Sequence, residues 1–571
     1  MSRSQPYRKI QKSGIEWTVL DEYAHLVPGE LVEKIRDAYS YPDLSVIKEN
    51  NVRISVFARL TENGEVIFVK KYKTHSIMDI VKYFFFPSKA SSEWKNMNLL
   101  LKKNIHVPLP IARGEKRRFR CLLDSYLVTK AIVNAKPLDR YALDTLGVGK
   151  SPDALLKRRM LIKQLALLVQ NIHHEGFFYR DLHAGNVLVL EGSRGETKLY
   201  PIDFHKVWHL GKVPMWMRIR DLAQLKNSFS ASRTDRLRFL HEYAKTCPSF
   251  LKQFKLHARR IEKKAEQLWG IHLKSRTKRC LVKSSEFDVK KDRSQTMFYN
   301  KNYSEELITD IIEAYRHALS SGKLNVLKET SKEIVSVVTI NHHEKEFKVL
   351  LKESNDSSVS GSLRCIVFKS RARKYWFAAR GLRVRNIATP VALALIEARR
   401  FGIPKQTIIL TEFVDQAFEL NDYVLRNFKN DLPSYQTHKK EQFIWELSQM
   451  LKDLHQKGIY HADLKSNNIL VKEKKEGGWT FYLIDLDRVD FKHHLSFRER
   501  SNNLAQINAS VAACISLCDR LRFFRNYAKG TPLIKKRDQY YRKILEISRK
   551  KITQPYGITF PPTLPEKNRT G

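Results

Sequence analysis

The chain has 571 residues, a formal net charge of +43, and 42% apolar and 29% charged residues. This length exceeds one ordinary hydrophobic core and predicts two to four globular domains. The longest apolar runs, at Val81–Pro87 and Ile387–Ala398, fall short of the roughly 18 residues that a transmembrane helix needs. The N-terminal stretch lacks the apolar region of a signal peptide. We therefore expect a cytoplasmic protein.

The excess of positive charge predicts an anionic partner. Nucleic acid, an anionic membrane surface and a phosphate-rich substrate each satisfy this expectation, and charge alone does not choose among them. The six cysteines are scattered without a CxxC pair, which predicts reduced thiols. Cys514 and Cys518 are spaced to share one helix face, but the sequence offers no further metal ligands beside them.

An internal repeat organises the chain. The stretch FFYRDLHAGNVLVL at residues 177–190 matches IYHADLKSNNILV at 459–471, and the runs LYPIDFHKV and FYLIDLDRV follow them. Corresponding acids and amides are 282 residues apart, namely Asp181 and Asp463, Asn186 and Asn468, and Asp203 and Asp485. A repeat of this length predicts a duplicated domain rather than a solenoid. We place the domains at residues 1–273 and 296–571, with the polar, basic stretch 274–295 as a linker.

Each repeat begins with a helical pattern, GELVEKIRDAY in the first and EELITDIIEAY in the second, and short strand-like runs follow. A longer helix comes next, with its apolar residues on one stripe and a glycine at its end. In chain order these residues are Leu161, Leu165, Leu168, Ile172 and Gly176, then Phe443, Leu447, Leu451, Leu454 and Gly458. The order predicts an α+β fold in which each repeat has a small β-rich lobe and a larger α-rich lobe.

The repeated polar residues have the pattern of phosphoryl transfer. This chemistry needs a group that holds the acceptor hydroxyl, cations beside the phosphates, and oxygen ligands for magnesium. Kinase-type catalytic loops provide an Asp, an Asn five residues later, and a second Asp at a strand end. Each repeat has all three. Turn capping by Asp and Asn is the alternative, although caps do not require a third acid at a fixed distance.

A lysine that holds phosphate is expected late in a strand of the β-rich lobe. The run GEVIFVKKY offers Lys70 and Lys71, and the repeat spacing to Lys352 favours Lys70. An exposed strand lysine is the alternative at this position. Glu93 on the following helix is the candidate ion-pair acid. Its counterpart is Tyr375, so the second repeat lacks this acid or uses another.

The two catalytic loops differ in detail. His461 precedes Asp463 by two residues, whereas Tyr179 has that place in the first repeat. Lys465 is positioned to neutralise a transferring phosphate, and His183 does so only when protonated. No G-x-G-x-x-G precedes either candidate lysine, and no A-P-E follows either strand-end acid. These absences argue against an ordinary protein kinase.

These residues resemble the lipopolysaccharide core kinase (Kdo/WaaP) family over roughly Ile47–Tyr243 and Leu327–Tyr527. The first catalytic loop, with RDLAQL at Arg220–Leu225, is similar to the heptose-kinase pattern, and the second loop is similar to the Kdo-kinase pattern. The resemblance implies two tandem protein-kinase-like domains that use ATP and Mg²⁺. It also implies roles for the repeated residues: Asp181 and Asp463 as bases, Lys70, Glu93 and Lys352 at the nucleotide, and Asn186, Asp203, Asn468 and Asp485 at the metal.

The resulting hypothesis is an ATP-dependent kinase of a lipopolysaccharide inner-core sugar, heptose or Kdo. By this hypothesis it contacts the anionic cytoplasmic face of a bacterial inner membrane as a peripheral protein. A kinase of protein or another small molecule is an alternative, as is a tandem kinase and pseudokinase with one unit as a binding scaffold. Nucleic-acid binding would explain the charge but not the repeated acids. The sugar, its hydroxyl and the oligomeric state stay open.

Overall fold

The computed structural model describes residues 7–24, 44–49, 52–59, 64–74, 76–146, 151–193, 195–228, 231–292, 294–355, 370–400, 403–428, 434–512 and 514–551. The chain divides into two compact units, Met1–Trp269 and Gly270–Gly571. At residues 274–295, where the sequence predicts a linker, the second unit has the end of a helix and its first strand. The helical pattern GELVEKIRDAY lies outside the described residues.

The β-rich lobe of the first unit is an antiparallel sheet. Among its described residues, seven strands pair in the order β1-β2-β6-β7-β5-β4-β3. Apolar side chains alternate along these strands, so that one face buries Val56 and Val69 in the core of the lobe. The strands are β1 (Tyr7–Lys12), β2 (Ile15–Leu20), β3 (Leu44–Glu49), β4 (Arg53–Arg59), β5 (Val66–Lys73), β6 (Pro110–Arg118) and β7 (Cys121–Lys130).

In the described part of the first unit, two helices accompany this sheet and the other helices form the second lobe. Their bounds are α1 (Ile77–Phe85), α2 (Lys89–Lys102), α3 (Leu138–Leu146), α4 (Pro152–His174), α5 (Met215–Ser228), α6 (Arg233–Ala244), α7 (Pro248–Lys252) and α8 (Phe254–Lys278). Short strands lie between the helices of this lobe. They are β8 (Lys136–Pro137), β9 (Phe177–Phe178), β10 (Val187–Glu191), β11 (Thr197–Pro201) and β12 (Trp208–His209).

The second unit repeats this arrangement. Its described strands form a sheet in the order β13-β14-β18-β19-β17-β16-β15. These strands are β13 (Phe287–Lys291), β14 (Gln295–Asn300), β15 (Asn325–Thr330), β16 (Glu333–His342), β17 (Lys345–Asn355), β18 (Ala392–Arg400) and β19 (Ile403–Glu412). The short strands are β20 (Phe418–Glu419), β21 (Ile459–His461), β22 (Ile469–Glu473), β23 (Trp479–Leu483) and β24 (Val489–Phe491).

One described helix of the second unit precedes β15, and the others follow β17. In chain order, these helices are α9 (Glu305–Ser320), α10 (Arg371–Val384), α11 (Leu420–Asn427), α12 (Ser434–Gln456), α13 (Phe497–Ser510), α14 (Leu517–Ala528) and α15 (Arg537–Lys551). Within the ranges described, every helix is too short or too polar to cross a bilayer.

The long helices α4 and α12 form the centre of each α-rich lobe. The predicted stripes face the core, where Leu161, Leu165 and Leu451 are buried. Gly176 follows α4 with φ +83°, and a Cβ atom there would lie 2.6 Å from the carbonyl carbon of Gly211. A left-handed conformation without space for a side chain requires glycine. The glycine turn therefore directs the chain from α4 into the catalytic loop.

Candidate active site

In the first unit, Lys70 on β5 makes a buried ion pair with Glu93 on α2. Lys70 Nζ lies 2.6 Å from Glu93 Oε1, and the two side chains are 9% and 2% exposed. The Tyr72 hydroxyl donates to Glu93 Oε2 at 2.8 Å. Neighbouring side chains of a strand point to opposite faces, and Lys71 Nζ lies 3.5 Å from Asp124 Oδ2. Of the two lysines, Lys70 is therefore the one that faces α2.

Glu93 also fixes the segment that follows the strand-end acid, Asp203. The backbone N–H of Phe204 donates to Glu93 Oε1 at 3.2 Å. Asn96, one turn further along α2, donates from Nδ2 to the carbonyl oxygen of Phe204 at 2.9 Å. Asp203 has a left-handed backbone with φ 70°, which is uncommon for a residue with a side chain. These contacts hold Asp203 in the same cluster as Lys70.

Three basic side chains surround the Asp203 carboxylate. His205 Nδ1 bonds to Asp203 Oδ1, and Arg53 Nη1 lies 3.5 Å from Oδ2. Burial alone would raise the pKa of Asp203. The hydrogen bond with His205 and the charges of Lys70, His205 and Arg53 outweigh burial and hold this pKa far below its ordinary value. Asp203 is therefore ionised at neutral pH, as a metal ligand must be.

Asp181 has partners on both carboxylate oxygens. Lys206 Nζ donates to Oδ2 at 2.6 Å, and Gln224 Nε2 donates to Oδ1 at 2.8 Å. Asn186 Nδ2 donates to the backbone carbonyl of Asp181 at 3.1 Å. Because the amide nitrogen is used within the loop, the amide oxygen of Asn186 is the atom left for a metal. Lys206 is 47% exposed and Asp181 is 23% exposed, so an acceptor reaches this end of the site from solvent.

A buried aspartate on α5 positions the catalytic loop. The Asp221 carboxylate accepts the backbone N–H groups of Tyr179 at 2.8 Å and Arg180 at 2.9 Å. These bonds offset the cost of a positive φ, 66°, at Arg180. The Tyr179 hydroxyl donates to the carbonyl oxygen of Ile202, immediately before the strand-end acid. One network thus connects α5, the catalytic loop and the metal-binding candidate.

The second unit has a different lysine environment. Lys352 Nζ on β17 lies 3.1 Å from Asp485 Oδ1 and 3.2 Å from Glu333 Oε2. Tyr375 is buried on α10, at the position of the ion-pair acid. Burial lowers the pKa of Lys352, but the charges of Asp485 and Glu333 outweigh burial and raise it. The acid beside Lys352 thus comes from strand β16, and Lys352 also bonds directly to the candidate metal ligand.

The second catalytic loop keeps the main contacts of the first. Lys465 Nζ lies 3.1 Å from Asp463 Oδ1, and Asn468 Nδ2 donates to the carbonyl oxygen of Asp463 at 2.7 Å. His461 Nε2 is 3.2 Å from the carbonyl oxygen of Ile484. This is the bond that Tyr179 makes in the first unit, so the tyrosine preserves the contact despite the change of residue. A lysine stands beside the catalytic-loop acid in both units, although it comes from different segments.

At the position that corresponds to Asp221, the hydrogen bond to the second catalytic loop has the opposite polarity. Asn503, which corresponds to Asp221, donates from Nδ2 to the carbonyl oxygen of His461. Gln506 Nε2 donates to the carbonyl oxygen of Ala462 at 2.6 Å. Asp221 accepts from backbone N–H groups, whereas Asn503 donates to a backbone carbonyl. Gln506 does both, because its amide oxygen also accepts the backbone N–H of Leu464 at 3.2 Å. The two loops therefore differ in backbone orientation as well as in side chains.

The strand-end acid of the second unit has an acidic neighbour. Burial and the charge of Asp485 raise the pKa of Asp487. Burial alone would also raise the pKa of Asp485, but Lys352 outweighs it and lowers that pKa. The residue at the place of Asp487 in the first unit is His205. The two units therefore present different charges beside their candidate metal ligands.

Sequence reasoning missed Lys206, Asp221 and Gln224. Lys206 follows Asp203 by three residues, and the basic residue Arg488 has the same spacing from its own strand-end acid. Asp221 and Gln224 belong to the RDLAQL run, where a spacing of three places them on one helix face. The signal was present in both cases, but neither spacing alone indicates a contact with the catalytic loop.

The first unit offers a ligand set that suits a hard divalent cation. The carboxylate of Asp203 and the amide oxygen of Asn186 are the oxygen donors that Mg²⁺ prefers. One ligand atom each from Glu93, Asp203 and His205 lie within 4.8 Å of one another. The low pKa of Asp203 supplies the negative charge. The residues present therefore fit a magnesium ion close to the Lys70–Glu93 pair.

A protein-family model for the lipopolysaccharide kinase (Kdo/WaaP) family matches residues 42–243 and again 318–527. The chain belongs to this family. The two matched segments confirm the tandem duplication and the two protein-kinase-like domains predicted from the sequence. As a member of a kinase family, the protein is an ATP-dependent phosphotransferase.

Individual relatives agree with this family. The chain is similar to lipopolysaccharide core heptose(I) kinase WaaP of Escherichia coli, with 26% identity over 190 residues, covering 32% of this chain and 71% of the relative. It is also similar to 3-deoxy-D-manno-octulosonic acid kinase of Pasteurella multocida, with 31% identity over 126 residues. That match covers 22% of this chain and 47% of the relative. A solved structure of WaaP in complex with acyl carrier protein aligns with a TM-score of 0.34 and 21% identity, over 46% of this chain and 99% of the other.

Proposed function

We propose that this protein transfers the γ-phosphoryl group of ATP to a sugar hydroxyl of the lipopolysaccharide inner core, a heptose or Kdo. The Kdo/WaaP family membership supports the substrate class. The observation that carries the proposal is the first unit's assembled site, with Lys70 paired to Glu93 and Asp181 beside Lys206. The phosphoryl transfer takes place at the cytoplasmic face of the inner membrane, which the protein contacts as a peripheral protein.

The first unit supplies a residue for each requirement of the transfer. Asp181 accepts the proton of the sugar hydroxyl, the hydroxyl oxygen bonds to the γ-phosphorus, and the bond to the bridging oxygen of ADP breaks. Gln224 orients the Asp181 carboxylate, and Lys206 offsets charge on the transferred group. Lys70 faces the nucleotide phosphates. A bound Mg²⁺ ion, held by Asp203 and Asn186, would neutralise phosphate charge.

The hairpins that cover a nucleotide in kinases lack glycine in both units, since residues 44–59 and 325–342 contain none. Side chains therefore take part in covering the phosphates. Arg53, at the start of β4, lies beside Asp203 and adds a positive charge there. This arrangement suits a small, anionic acceptor better than an extended protein segment.

The second unit is the candidate for a binding or regulatory role. Lys352 bonds to Asp485 and Glu333, so a nucleotide there must displace contacts that the first unit does not have. Tyr375 replaces the acid that pairs with Lys70 in the first unit. Asp463, Asn468 and Asp485 nevertheless keep the residue types needed for transfer, and Lys465 lies beside the acid.

The test is phosphate transfer from labelled ATP to purified inner-core acceptors. Wild type is compared with Asp181→Ala, Asp463→Ala and the double variant, with casein as a protein acceptor. We expect Asp181→Ala to abolish labelling of the sugar and Asp463→Ala to retain it. Labelling of casein alone would contradict the sugar assignment. Loss of activity in Asp463→Ala alone would assign the transfer to the second unit and the binding or regulatory role to the first.

A further inference from the structure

An exposed aromatic and basic surface lies on the β-rich lobe of the first unit. It consists of Met78, Val81 and Phe85 on helix α1, Phe86 after the helix, and Phe119 in the turn between β6 and β7. Met78 is 82% exposed, Phe85 74%, Phe86 63% and Phe119 87%. We call these five residues and the cations Lys82, Arg118 and Arg120 the aromatic-basic surface.

Helix α1 has apolar residues on both of its sides. Tyr83 is buried against the lobe, so the inner side already has its packing partner. Met78, Val81 and Phe85 are three and four residues apart, which places them on one outer stripe. A water-soluble helix normally carries polar residues on this side. The outer stripe therefore has no structural role in packing the described part of the lobe.

The β6–β7 turn continues this surface. Arg117 Nη1 donates to the carbonyl oxygen of Tyr83 at 3.2 Å, and the Arg120 guanidinium lies 5.7 Å from the ring centroid of Phe84. The turn and the end of α1 are therefore neighbours. Phe119 and Arg120 have φ values of 47° and 65°. Asn and Gly are the residues preferred in such a two-residue turn, so a bulky aromatic side chain is kept there against the backbone preference.

The charges around the aromatic residues are mostly positive. Lys82, Arg118 and Arg120 accompany the exposed rings, and Lys116 and Arg117 precede them on β6. The acids close by are Asp79 on α1, Glu115 on β6 and Asp124 on β7, of which Asp124 lies 3.5 Å from Lys71 Nζ. Glu115 is engaged by Arg117 at 2.8 Å and by the hydroxyl groups of Ser88 and Ser91. The outward charge of the surface is therefore cationic.

We propose that the aromatic-basic surface inserts its rings into the interface of an anionic membrane. Exposed aromatic side chains favour the boundary between headgroups and acyl chains. Cations beside them gain from anionic headgroups. This inference rests on the proposed function, because an acceptor anchored in a membrane brings the enzyme to that surface. It assigns the contact to particular residues of the first unit.

The experiment uses the full chain and vesicle sedimentation. One set of vesicles contains phosphatidylethanolamine and phosphatidylglycerol, and the other contains phosphatidylcholine alone. We expect wild type to bind the anionic set preferentially. The triple variant Phe85→Ser, Phe86→Ser, Phe119→Ser should lose about tenfold or more of this binding, because three rings no longer enter the interface. Trp445→Ser, which removes a 53% exposed ring from the second unit, should bind as wild type does.

A second variant separates membrane contact from folding. Phe119→Gly suits the positive φ and should not lower stability, yet it should weaken vesicle binding. The Phe119→Trp variant should show added fluorescence quenching by lipids brominated in their acyl chains. Absence of wild-type binding, unchanged binding by the triple variant, or no added quenching would each overturn the proposal, and the surface would then be assigned to a protein partner.

Phosphorylation assays distinguish this proposal from the proposed function. The triple variant should label a deacylated, water-soluble inner-core acceptor at the wild-type rate, and label vesicle-embedded lipopolysaccharide more slowly. If vesicle binding is as expected but wild type labels neither acceptor, the membrane-contact proposal is supported and the sugar-kinase assignment is wrong. Equal rates for wild type and the triple variant on embedded acceptor would refute the membrane contact.

Discussion

The Lys70–Glu93 pair gives the sharpest test of the first unit's site. In Glu93→Gln the side chain keeps its shape and loses its charge. The atom 2.6 Å from Lys70 Nζ then belongs to a neutral amide, although the Lys70 side chain is only 9% exposed. Removing one member of a buried ion pair costs about 3–5 kcal/mol. The substituted amide still accepts one bond through its oxygen, and Asp203 remains as a counter-charge for Lys70, so we expect the lower end of this range.

The expected result is therefore a loss of about 3 kcal/mol in the unfolding free energy of the first unit. If transition-state stabilisation falls by the same amount, phosphate transfer slows about 100-fold, because each 1.36 kcal/mol is a factor of ten. Urea unfolding followed by fluorescence measures the first quantity, and ADP release with an inner-core acceptor measures the second.

Glu175→Gln is the matched control. Glu175 pairs with Lys103 at 3.0 Å, with side chains 29% and 50% exposed, and exposed pairs contribute less than about 1 kcal/mol. It should leave both quantities near wild type. Wild-type activity and stability in Glu93→Gln would refute the reasoning, because the pair would then contribute nothing to the fold or to the nucleotide site.

Three further predictions concern the loops and the buried histidine of the second unit. Tyr179→Phe removes the hydrogen bond from the hydroxyl to the carbonyl of Ile202. Leaving a buried carbonyl unpaired costs roughly 1–3 kcal/mol, so phosphate transfer should fall about tenfold. Tyr179→His should retain more activity, because His461 makes the corresponding bond in the second unit. Lys206→Met should lower kcat by about tenfold or more, because its charge no longer stabilises the transferred group. Urea unfolding should change little, since Lys206 is 47% exposed. Equal losses of kcat in Lys206→Arg and Lys206→Met would contradict a role for its charge. Burial lowers the pKa of His455 from 6.5 to about 3. Between these two pH values the unfolded chain binds a proton that the folded chain does not bind. The second unit should therefore lose stability as pH falls from 6.5 toward 3. A pH series of urea unfolding should show a weaker dependence in His455→Gln, and an unchanged dependence would exclude this histidine as its cause.

The duplicated pattern predicted the two-lobed fold because its signals are local. Helix stripes such as Leu161 and Leu165 and the stop at Gly176 depend on spacing and backbone conformation, which a sequence displays directly. The register of the repeat also distinguished Lys70 from Lys71, and in the structure these two lysines face different partners, Glu93 and Asp124.

Contacts between distant segments were less predictable. Gln224 meets Asp181 from a helix more than 40 residues away, and sequence spacing does not encode that approach. The partner of Lys352 illustrates the same limit. Because Tyr375 stands at the helix position, the sequence predicted that the second repeat lacks the acid or uses another, but it did not identify Glu333. Glu333 meets Lys352 because strand pairing brings β16 beside β17.

The opposite hydrogen-bond polarity at Asp221 and Asn503 restricts the exchange of segments between the repeats. Asp221 offers lone pairs to backbone N–H groups, and Asn503 offers N–H groups to a backbone carbonyl. A recombinant that transplants α5 into the second half would set the Asp221 carboxylate against the carbonyl oxygen of His461, so that two acceptors meet without a proton between them. Gene conversion between the halves would thus impair the protein unless loop and helix moved together. Each half therefore requires its own combination of loop and helix, and neither segment fits the other half alone.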